Sequence, residues 1–289
     1  MIVGYPPGST ADILARLVSQ SLTERLGQPI VIENRPGAAS TIATEAVVRA
    51  APDGHTLLFI TSPNLLHDYL YKNLSFNFMR DIAPVAGIGH GPFVMVVNPS
   101  VPVHTVAEFI AYAKANPGRL NMASGGNATT THVAGELFKM MAGVDMLHVP
   151  YRGEPPALTD LIAGQVQMMF VNVPPVIPYL RAGRLRALAV TSASRFEMLP
   201  GIPALAEFLP GFEAGSLEGI GVPRGTPDTI VKQLNQEINA ALSDARVRRS
   251  ISDVGATPMP GTPDDFEKLM GEESAKWAKV VRMAGIKPE

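Results

Sequence analysis

The chain has 289 residues, of which 46% are hydrophobic and 17% charged, and its net charge is −2. This is an ordinary globular balance, and the length allows a large core and two lobes. Cysteine is absent, which excludes disulfides, thiolate nucleophiles and thiolate metal sites. No basic field is present to attract nucleic acid, and no apolar run is long enough to cross a membrane. We therefore expect neither a nucleic-acid-binding protein nor a membrane-spanning one.

The predicted elements alternate between strand and helix for most of the chain. The four-residue spacing of Leu14, Val18 and Leu22 predicts a helix over about 11–26, and Gly27 should end it. The other predicted elements here are helices over 41–50 and 105–116 and strands over 2–3, 30–33, 56–60, 93–97, 120–123, 147–151, 166–171 and 185–190. This order predicts an α/β fold with largely parallel sheets.

The last third of the chain contains three predicted helices. Thr226 and Thr262 each precede a proline, so each is expected to cap a helix that has proline at its first position. The middle helix is predicted over 244–254, with Gly255 as its end.

Two segments rich in proline and glycine, 98–102 and 210–215, have the composition of lobe boundaries. If the chain crosses between lobes at both, residues 99–214 form one lobe, and 1–98 with 215–289 form the other. Two crossings would make a hinge, and we expect a ligand cleft between the lobes. The chain opens directly on a strand without an apolar signal segment, which indicates either a cytoplasmic protein or a processed form.

Two polar loops, each leading into a helix, carry the strongest functional signal. The first covers 5–12 and the second 123–132, and both are rich in glycine, serine and threonine. The first turn of a helix presents unpaired amides and the positive end of the helix dipole, so it binds anions. Two such ends facing one another across a cleft would form a carboxylate receptor that needs little formal positive charge.

The chain resembles the Bug family, the extracytoplasmic solute receptors of tripartite tricarboxylate transporters. The resemblance rests on Pro7, Gly8, Asp12 and Arg16, and on the segments 26–29, 33–38, 51–54, 124–132, 135–136, 148–153, 184–189, 199–203, 210–213 and 225–227. It implies a two-lobed, type II periplasmic-binding-protein fold and a non-catalytic, periplasmic receptor that works as a monomer. Its expected partners are a small organic acid (a di- or tricarboxylate or an aromatic carboxylate) and membrane transporter subunits. No cofactor or metal is expected.

The candidate ligand-binding residues come from the two loops and from the predicted strand ends. They are Ser9, Thr10, Asp12, Thr61, Ser62, Asn64, Ser124, Gly126, Asn127, Ala128, Thr129, Thr130, Tyr151, Arg152 and Asn172. Several have a structural alternative. Asp12 is also the residue type that a helix dipole favours in its first turn, and Thr10 is also a helix cap. Arg152 is equally suited to a bidentate contact with an acid or to a structural salt bridge.

Several positions depart from the family pattern. Ser9, Ala39, Ser40, Ala43 and Ala128 replace glycines, Pro175 replaces a common serine, and Leu217 replaces a tryptophan. Val171 stands where the family often has aspartate. Loss of that acceptor favours a simple carboxylate over an amino acid as the ligand.

Two other functional classes remain open at this point. An enzyme of the α/β hydrolase type would need a nucleophile and base, and Ser124 with His132 is the nearest arrangement. No Gly-x-Ser-x-Gly, phosphate-loop or His-Glu-x-x-His motif is present, and the glycine-rich 87–91 leads into a strand rather than a helix. The second class, a soluble sensor for a signalling partner, would have the same fold as a transport receptor.

Overall fold

A computed structural model describes residues 1–71 and 73–286. The strands are β1 (Ile2–Val3), β2 (Glu33–Asn34), β3 (Leu58–Thr61), β4 (Ile82–Val97), β5 (Asn121–Ser124), β6 (Leu147–Pro150), β7 (Met168–Asn172), β8 (Arg186–Val190), β9 (Gly215–Pro223) and β10 (Thr257–Pro258). The helices are α1 (Thr10–Leu26), α2 (Thr41–Val48), α3 (His67–Leu70), α4 (Phe78–Asp81), α5 (Val106–Ala115), α6 (Thr130–Ala142), α7 (Glu154–Ile162), α8 (Val173–Arg181), α9 (Asp228–Ser243), α10 (Ala245–Asp253) and α11 (Pro263–Met283). Among the described residues, no helix combines the length and the apolarity needed to span a bilayer.

The chain forms two compact units, one of residues 1–90 with 217–289 and one of residues 91–216. The sequence places the divisions at 98/99 and 214/215, and in the structure they fall at 90/91 and 216/217. The first division lies inside β4, which is longer than the predicted strand over 93–97. The glycine-rich segment 87–91 is thus part of β4 rather than a loop before it.

In the unit of residues 1–90 and 217–289, the strands follow the order β2-β1-β3-β9-β4. Strand β1 is parallel to β2 and β3, whereas β9 joins β3, and β10 joins β4, in antiparallel pairs. The sheet is thus mixed rather than largely parallel. Strand β2 lies at 33–34 rather than 30–33, since Glu33 and Asn34 are the residues that pair with β1, and Val31 in the predicted strand is 74% exposed.

In the unit of residues 91–216, β5 is parallel to both β6 and β7, and β4 is antiparallel to β7 and β8. Strand β6 is the last strand in the described order; its first residue, Leu147, is 59% exposed, and it ends at Pro150. Four fully buried phenylalanines form a chain of ring contacts through this unit, with centroids 5.9–6.1 Å apart: Phe109, Phe138, Phe170 and Phe212. This unit therefore has a core of its own, and the unit of residues 1–90 and 217–289 has another, with Leu14, Phe59 and Ile220 among its fully buried side chains.

Most helix ends follow the residues that the sequence indicates. Gly27 ends α1 in the left-handed region, and Thr262 caps α11 with a reciprocal bond to Asp265. The prediction for Thr226 is wrong. Its hydroxyl donates to the carbonyl of Pro223, and α9 begins after Pro227 without a side-chain cap.

Three consecutive residues other than glycine have positive φ angles in the turn before α2. The φ angles are 45° at Ala38, 49° at Ala39 and 74° at Ser40. A side chain in this region costs about 1–2 kcal/mol because Cβ crowds the backbone. The glycines that the family has at 39 and 40 would avoid this cost, so the turn stores strain in this chain.

We expect Ala39→Gly to stabilise the protein. Relief of the left-handed strain should exceed the entropy that glycine adds to the unfolded chain, for a net gain of about 0.5–1 kcal/mol. The measurement is the free energy of unfolding in urea. Ala43→Gly is the matched control: Ala43 is fully buried within α2, so the same exchange should destabilise. A loss of stability in Ala39→Gly would contradict the assigned backbone conformation.

Candidate functional site

The first candidate loop follows β1 and leads into α1. Ser9 is the N-cap, since its hydroxyl accepts a hydrogen bond from the Asp12 amide at 3.2 Å. The structural alternative considered for Thr10, a helix cap, is therefore wrong by one residue. The amides of Thr10 and Ala11, in the first turn of α1, donate to no other residue that the structure describes. The Ser9 amide makes a long bond of 3.3 Å to the Pro6 carbonyl.

The buried carboxylate of Asp12 holds this loop in place through hydrogen bonds. Its carboxylate accepts from the Gly8 amide at 2.9 Å, from Arg16 Nε at 2.9 Å and from the Asn34 side-chain amide at 2.8 Å. Burial raises the pKa of Asp12, but these hydrogen bonds outweigh burial and hold the pKa below its usual range. Because both carboxylate oxygens are engaged within the protein, we assign Asp12 to loop structure rather than to ligand contact.

Thr61, Ser62 and Asn64 also lie at the carboxyl edge of the parallel strands in this unit: Thr61 is the last residue of β3, and the other two follow it. All three are buried. The Asn64 side chain accepts from the Thr61 amide at 2.7 Å, and the Ser62 hydroxyl accepts from the Leu217 amide at 2.7 Å. These bonds close the turn after β3, so the three side chains hold the strand end in place.

In the other unit, parallel strands β5, β6 and β7 bring their carboxyl ends to one edge, as the alternating pattern predicts. This edge collects Ser124, Tyr151, Arg152 and Asn172 from segments far apart in sequence. Ser124 is fully buried, and its Oγ lies 2.7 Å from His148 Nε2. The pairing of Ser124 with His132 that a hydrolase would require is not formed.

The loop between β5 and α6 forms a compact turn around Gly126. The φ of Gly126 is 134°, and a Cβ there would lie 3.1 Å from the Tyr151 carbonyl, so glycine allows the close approach. Ala128 has a φ of 62°, and Asn127 at the tip is exposed. Thr129 caps α6 by accepting from the His132 amide at 3.3 Å.

The first turn of α6 presents backbone donors. Within the described part of the chain, the amides of Thr130 and Thr131 have no acceptor. Helix α6 therefore begins as α1 does, with a hydroxyl cap at one residue and two unused amides after it. Each arrangement suits an anion.

His132 and His148 stack under this loop, with ring centroids 3.7 Å apart and planes within 7°. His132 Nδ1 accepts from the Ala128 amide at 3.2 Å. Burial, followed by the repulsion from His148, lowers the pKa of His132 to about 3, and burial lowers the pKa of His148 to about 4. Two neutral rings thus support the loop from below as packing groups.

Tyr151 and Arg152 follow β6 and differ in their contacts. The Tyr151 hydroxyl donates to Asp160 at 2.7 Å, and burial together with this bond raises its pKa to about 12. This fixes the ring against α7. Arg152 is exposed and forms no ion pair with any described residue, so the structural salt bridge considered for it is not found. Its guanidinium remains available to an acid.

Asn172 has a partner that the sequence does not reveal. Its side-chain amide donates to both carboxylate oxygens of Glu154, at 3.0 and 3.1 Å. Burial raises the pKa of Glu154, although bonds from Asn172 act in the opposite direction. Glu154 opens α7 eighteen residues before Asn172 and in a different element, and no local pattern links the two. Among the described residues, no cluster of His, Asp or Glu is arranged to hold a metal ion.

Comparison with known proteins places these features in a family. A model of the tripartite tricarboxylate transporter family receptor matches residues 14–286. Protein BugT of Bordetella pertussis is 37% identical over 290 residues, 99% of this chain and 89% of that protein. A structure of R. palustris Rpa4515 with adipate has a TM-score of 0.91 at 37% identity and covers 100% of this chain and 97% of that chain. MatC (Rpa3494) from Rhodopseudomonas palustris with bound malate has a TM-score of 0.85 at 33% identity, with 97% of both chains covered.

These matches span nearly the whole chain and confirm the α/β periplasmic-binding-protein fold that the resemblance implies. They connect it to solute receptors rather than to enzymes, and the receptors of this kind are periplasmic. The chain therefore belongs to the tripartite tricarboxylate transporter receptor family, the group of periplasmic solute receptors that includes the Bug proteins.

Proposed function

We propose that this protein binds a small organic carboxylate and delivers it to the membrane subunits of a tripartite transporter. The observation that carries the proposal is the start of α6, where the amides of Thr130 and Thr131 have no acceptor among the residues that the structure describes. Arg152, next to the loop before α6, is positively charged and pairs with no acidic group in the described part of the chain. Two relatives of known structure hold adipate and malate, both of which are small dicarboxylates.

The physical case rests on fixed donors rather than on buried charge. Each hydrogen bond from an amide to a carboxylate contributes about 1.5–3 kcal/mol, and the helix dipole adds about 0.3–1 kcal/mol. A few such bonds support micromolar binding, about −8 kcal/mol, after the cost of immobilising the ligand. Thr129 and the histidine stack hold the donors in position before the ligand arrives.

The test removes one amide and leaves the helix intact. Thr130 is the first helical residue of α6, and proline is well tolerated at that position although it has no N–H. Thr129 before it is extended, with ψ at 156°, as a residue preceding proline must be. We expect Thr130→Pro to weaken binding of the acid by about 10- to 100-fold, as loss of one charge-assisted hydrogen bond requires. Isothermal titration with adipate, malate and succinate measures this.

Two controls separate the amide from other effects. Thr130→Val removes the hydroxyl but keeps the N–H, so it should bind much more tightly than Thr130→Pro. Ala245→Pro makes the same exchange at the exposed first position of α10 and should leave affinity unchanged. Equal affinity in Thr130→Pro and Thr130→Val would argue against the proposed role of this helix end.

The sequence-based expectation that α1 contributes to binding of the same acid stays a prediction. Thr10→Pro tests it in the same way, because Thr10 is the first residue of α1 and Ser9 before it is extended. If Thr10→Pro weakens the acid that Thr130→Pro weakens, both helix ends serve one ligand. If no acid on the panel produces heat or a thermal shift with the wild-type protein, the carboxylate assignment itself is wrong.

A further inference from the structure

We propose that Glu154 makes this receptor select organic acids that carry a hydroxyl or amino group as well as their carboxylates. The inference rests on the proposed function, because it concerns the ligand of the same site. It names a chemical class: a carboxylic acid with a hydrogen-bond donor that faces an acidic acceptor in the protein.

The position of Glu154 ties it to the proposed anion site. A Cβ on Gly125 would lie 3.4 Å from Glu154 Cγ, so the glutamate side chain passes directly beside the loop that leads to α6. The Gly153 amide, one residue before Glu154, donates to the Gly125 carbonyl at 3.0 Å. The Gly125 amide in turn reaches the Thr131 hydroxyl at 3.4 Å, in the first turn of α6. Glu154 and the first turn of α6 are therefore linked through Gly125 in one cluster.

The carboxylate of Glu154 has spare acceptor capacity. An ionised carboxylate offers about four acceptor positions, and among the described residues only Asn172 donates to the carboxylate of Glu154. No arginine or lysine among the described residues pairs with it. The dipole of α7 favours an acid in its first turn whatever the direction of the side chain. The Glu154 side chain contacts Asn172 at the end of β7, which is the strand edge where the candidate residues of this unit lie.

Charge and burial give this position its selectivity. An acid that offers nothing but carboxylates would bring like charge toward a half-buried carboxylate, which disfavours binding. A ligand hydroxyl or ammonium reverses the sign of that interaction by donating to the unused oxygen lone pairs. Burial raises the pKa of Glu154, and a donor on the ligand would act in the opposite direction, as the bonds from Asn172 do.

The sequence alone points the other way. Val171 stands where a carboxylate is common in the family, and its absence favours a ligand without an amine. In the structure Val171 is fully buried in the core of its unit. The acceptor comes instead from the start of α7, seventeen residues earlier in sequence.

Matched ligands isolate the effect. Succinate, malate and aspartate differ at one carbon, which carries hydrogen, hydroxyl or ammonium, and adipate, 2-hydroxyadipate and 2-aminoadipate form the corresponding longer set. Titration calorimetry gives each dissociation constant. We expect the wild type to prefer at least one substituted acid over its unsubstituted parent by about tenfold or more, the size of a hydrogen bond to a charged group.

The decisive variant is Glu154→Gln, which keeps the shape and, through its one remaining oxygen, one of the two bonds from Asn172, but loses the charge. It should reduce the preference for the amino acid most strongly, while binding the unsubstituted acid as well as or better than the wild type. Glu154→Ala should remove both preferences. Glu108→Gln makes the same charge change at an exposed position of α5 and should leave all ratios unchanged. Thermal unfolding of each variant confirms that it is folded.

The same titrations test the role of Glu154 separately from carboxylate binding itself. Binding of unsubstituted acids without any preference, or a preference that Glu154→Gln leaves intact, would overturn the role of Glu154 and leave the carboxylate receptor standing. Absence of binding by every acid in both sets would overturn the two together.

Discussion

Lowering the pH from 6.5 to 5 should destabilise this protein by several kcal/mol. His67, His132 and His148 are buried, and burial is the first cause that lowers their pKa values to about 4, 3 and 4. In the unfolded chain each would take up a proton near pH 6.5. Between pH 6.5 and 4 the unfolded state thus binds more protons, so acid shifts the equilibrium toward it. This stability is complete above pH 6.5 and is lost as the pH falls.

The expected slope is about 1.4 kcal/mol per pH unit for each histidine, or about 4 kcal/mol per unit for the three. Urea unfolding at pH 7, 6 and 5 measures it. His67→Phe should reduce the slope by about a third and keep the edge-to-face ring contacts with Tyr71, Phe76 and Phe78. The exposed His104, changed to glutamine, serves as control and should leave the slope intact. A wild-type stability that is flat over this range would show that these histidines are not held neutral.

Asp12→Ala should cost about 2–4 kcal/mol of folding free energy. The change leaves the Gly8 amide and the Asn34 side chain without the acceptor that they now share, and it removes the ion pair with Arg16. Chemical denaturation measures the loss.

Asp228→Ala is the matched control for Asp12→Ala. Asp228 is also a first-turn acid, in α9, but it is exposed, so its removal should cost about 0.3–1 kcal/mol through the helix dipole alone. If the two variants lose the same stability, the dipole explains Asp12 and the hydrogen bonds add nothing. A large loss of ligand affinity in folded Asp12→Ala would return this residue to the binding site.

Local signals in the sequence predict much of the fold. Apolar spacing and Gly27 define α1, and Thr262 defines the start of α11, because periodicity and capping depend on residues a few positions apart. The strands 30–33 and 93–97 are less accurate. Apolar side chains alone do not show that Val31 is exposed, or that glycines extend β4 back to Ile82.

Glycines 87 and 89 show why the start of β4 is hard to predict. A Cβ at Gly87 would lie 2.2 Å from Met259 Cε, and one at Gly89 would lie 3.1 Å from the Thr257 carbonyl. The strand needs glycine here because the segment around β10 packs closely against it. That contact joins residues about 170 positions apart, so no local pattern contains it.

In the candidate site, too, some features follow from local sequence and others depend on distant contacts. The helix-end amides of α1 and α6 follow from local sequence, since a polar loop before an apolar repeat predicts them. The pairing of Ser124 with His148, and of Asn172 with Glu154, depends on which strands become neighbours in the sheet. Local sequence therefore indicates the two helix ends but contains no signal for the contact between Asn172 and Glu154.

Strand β6, the last strand in the described order, has a consequence for the protein in concentrated solution. An open strand edge is a template onto which another chain can add, and this is how fibrils grow. Strand β6 is four residues long and ends at Pro150, which offers no amide hydrogen to an incoming chain. A chain adding to this edge would therefore find few backbone N–H donors. The folded molecule should resist self-association there, even though the apolar side chain of Leu147 is exposed to water.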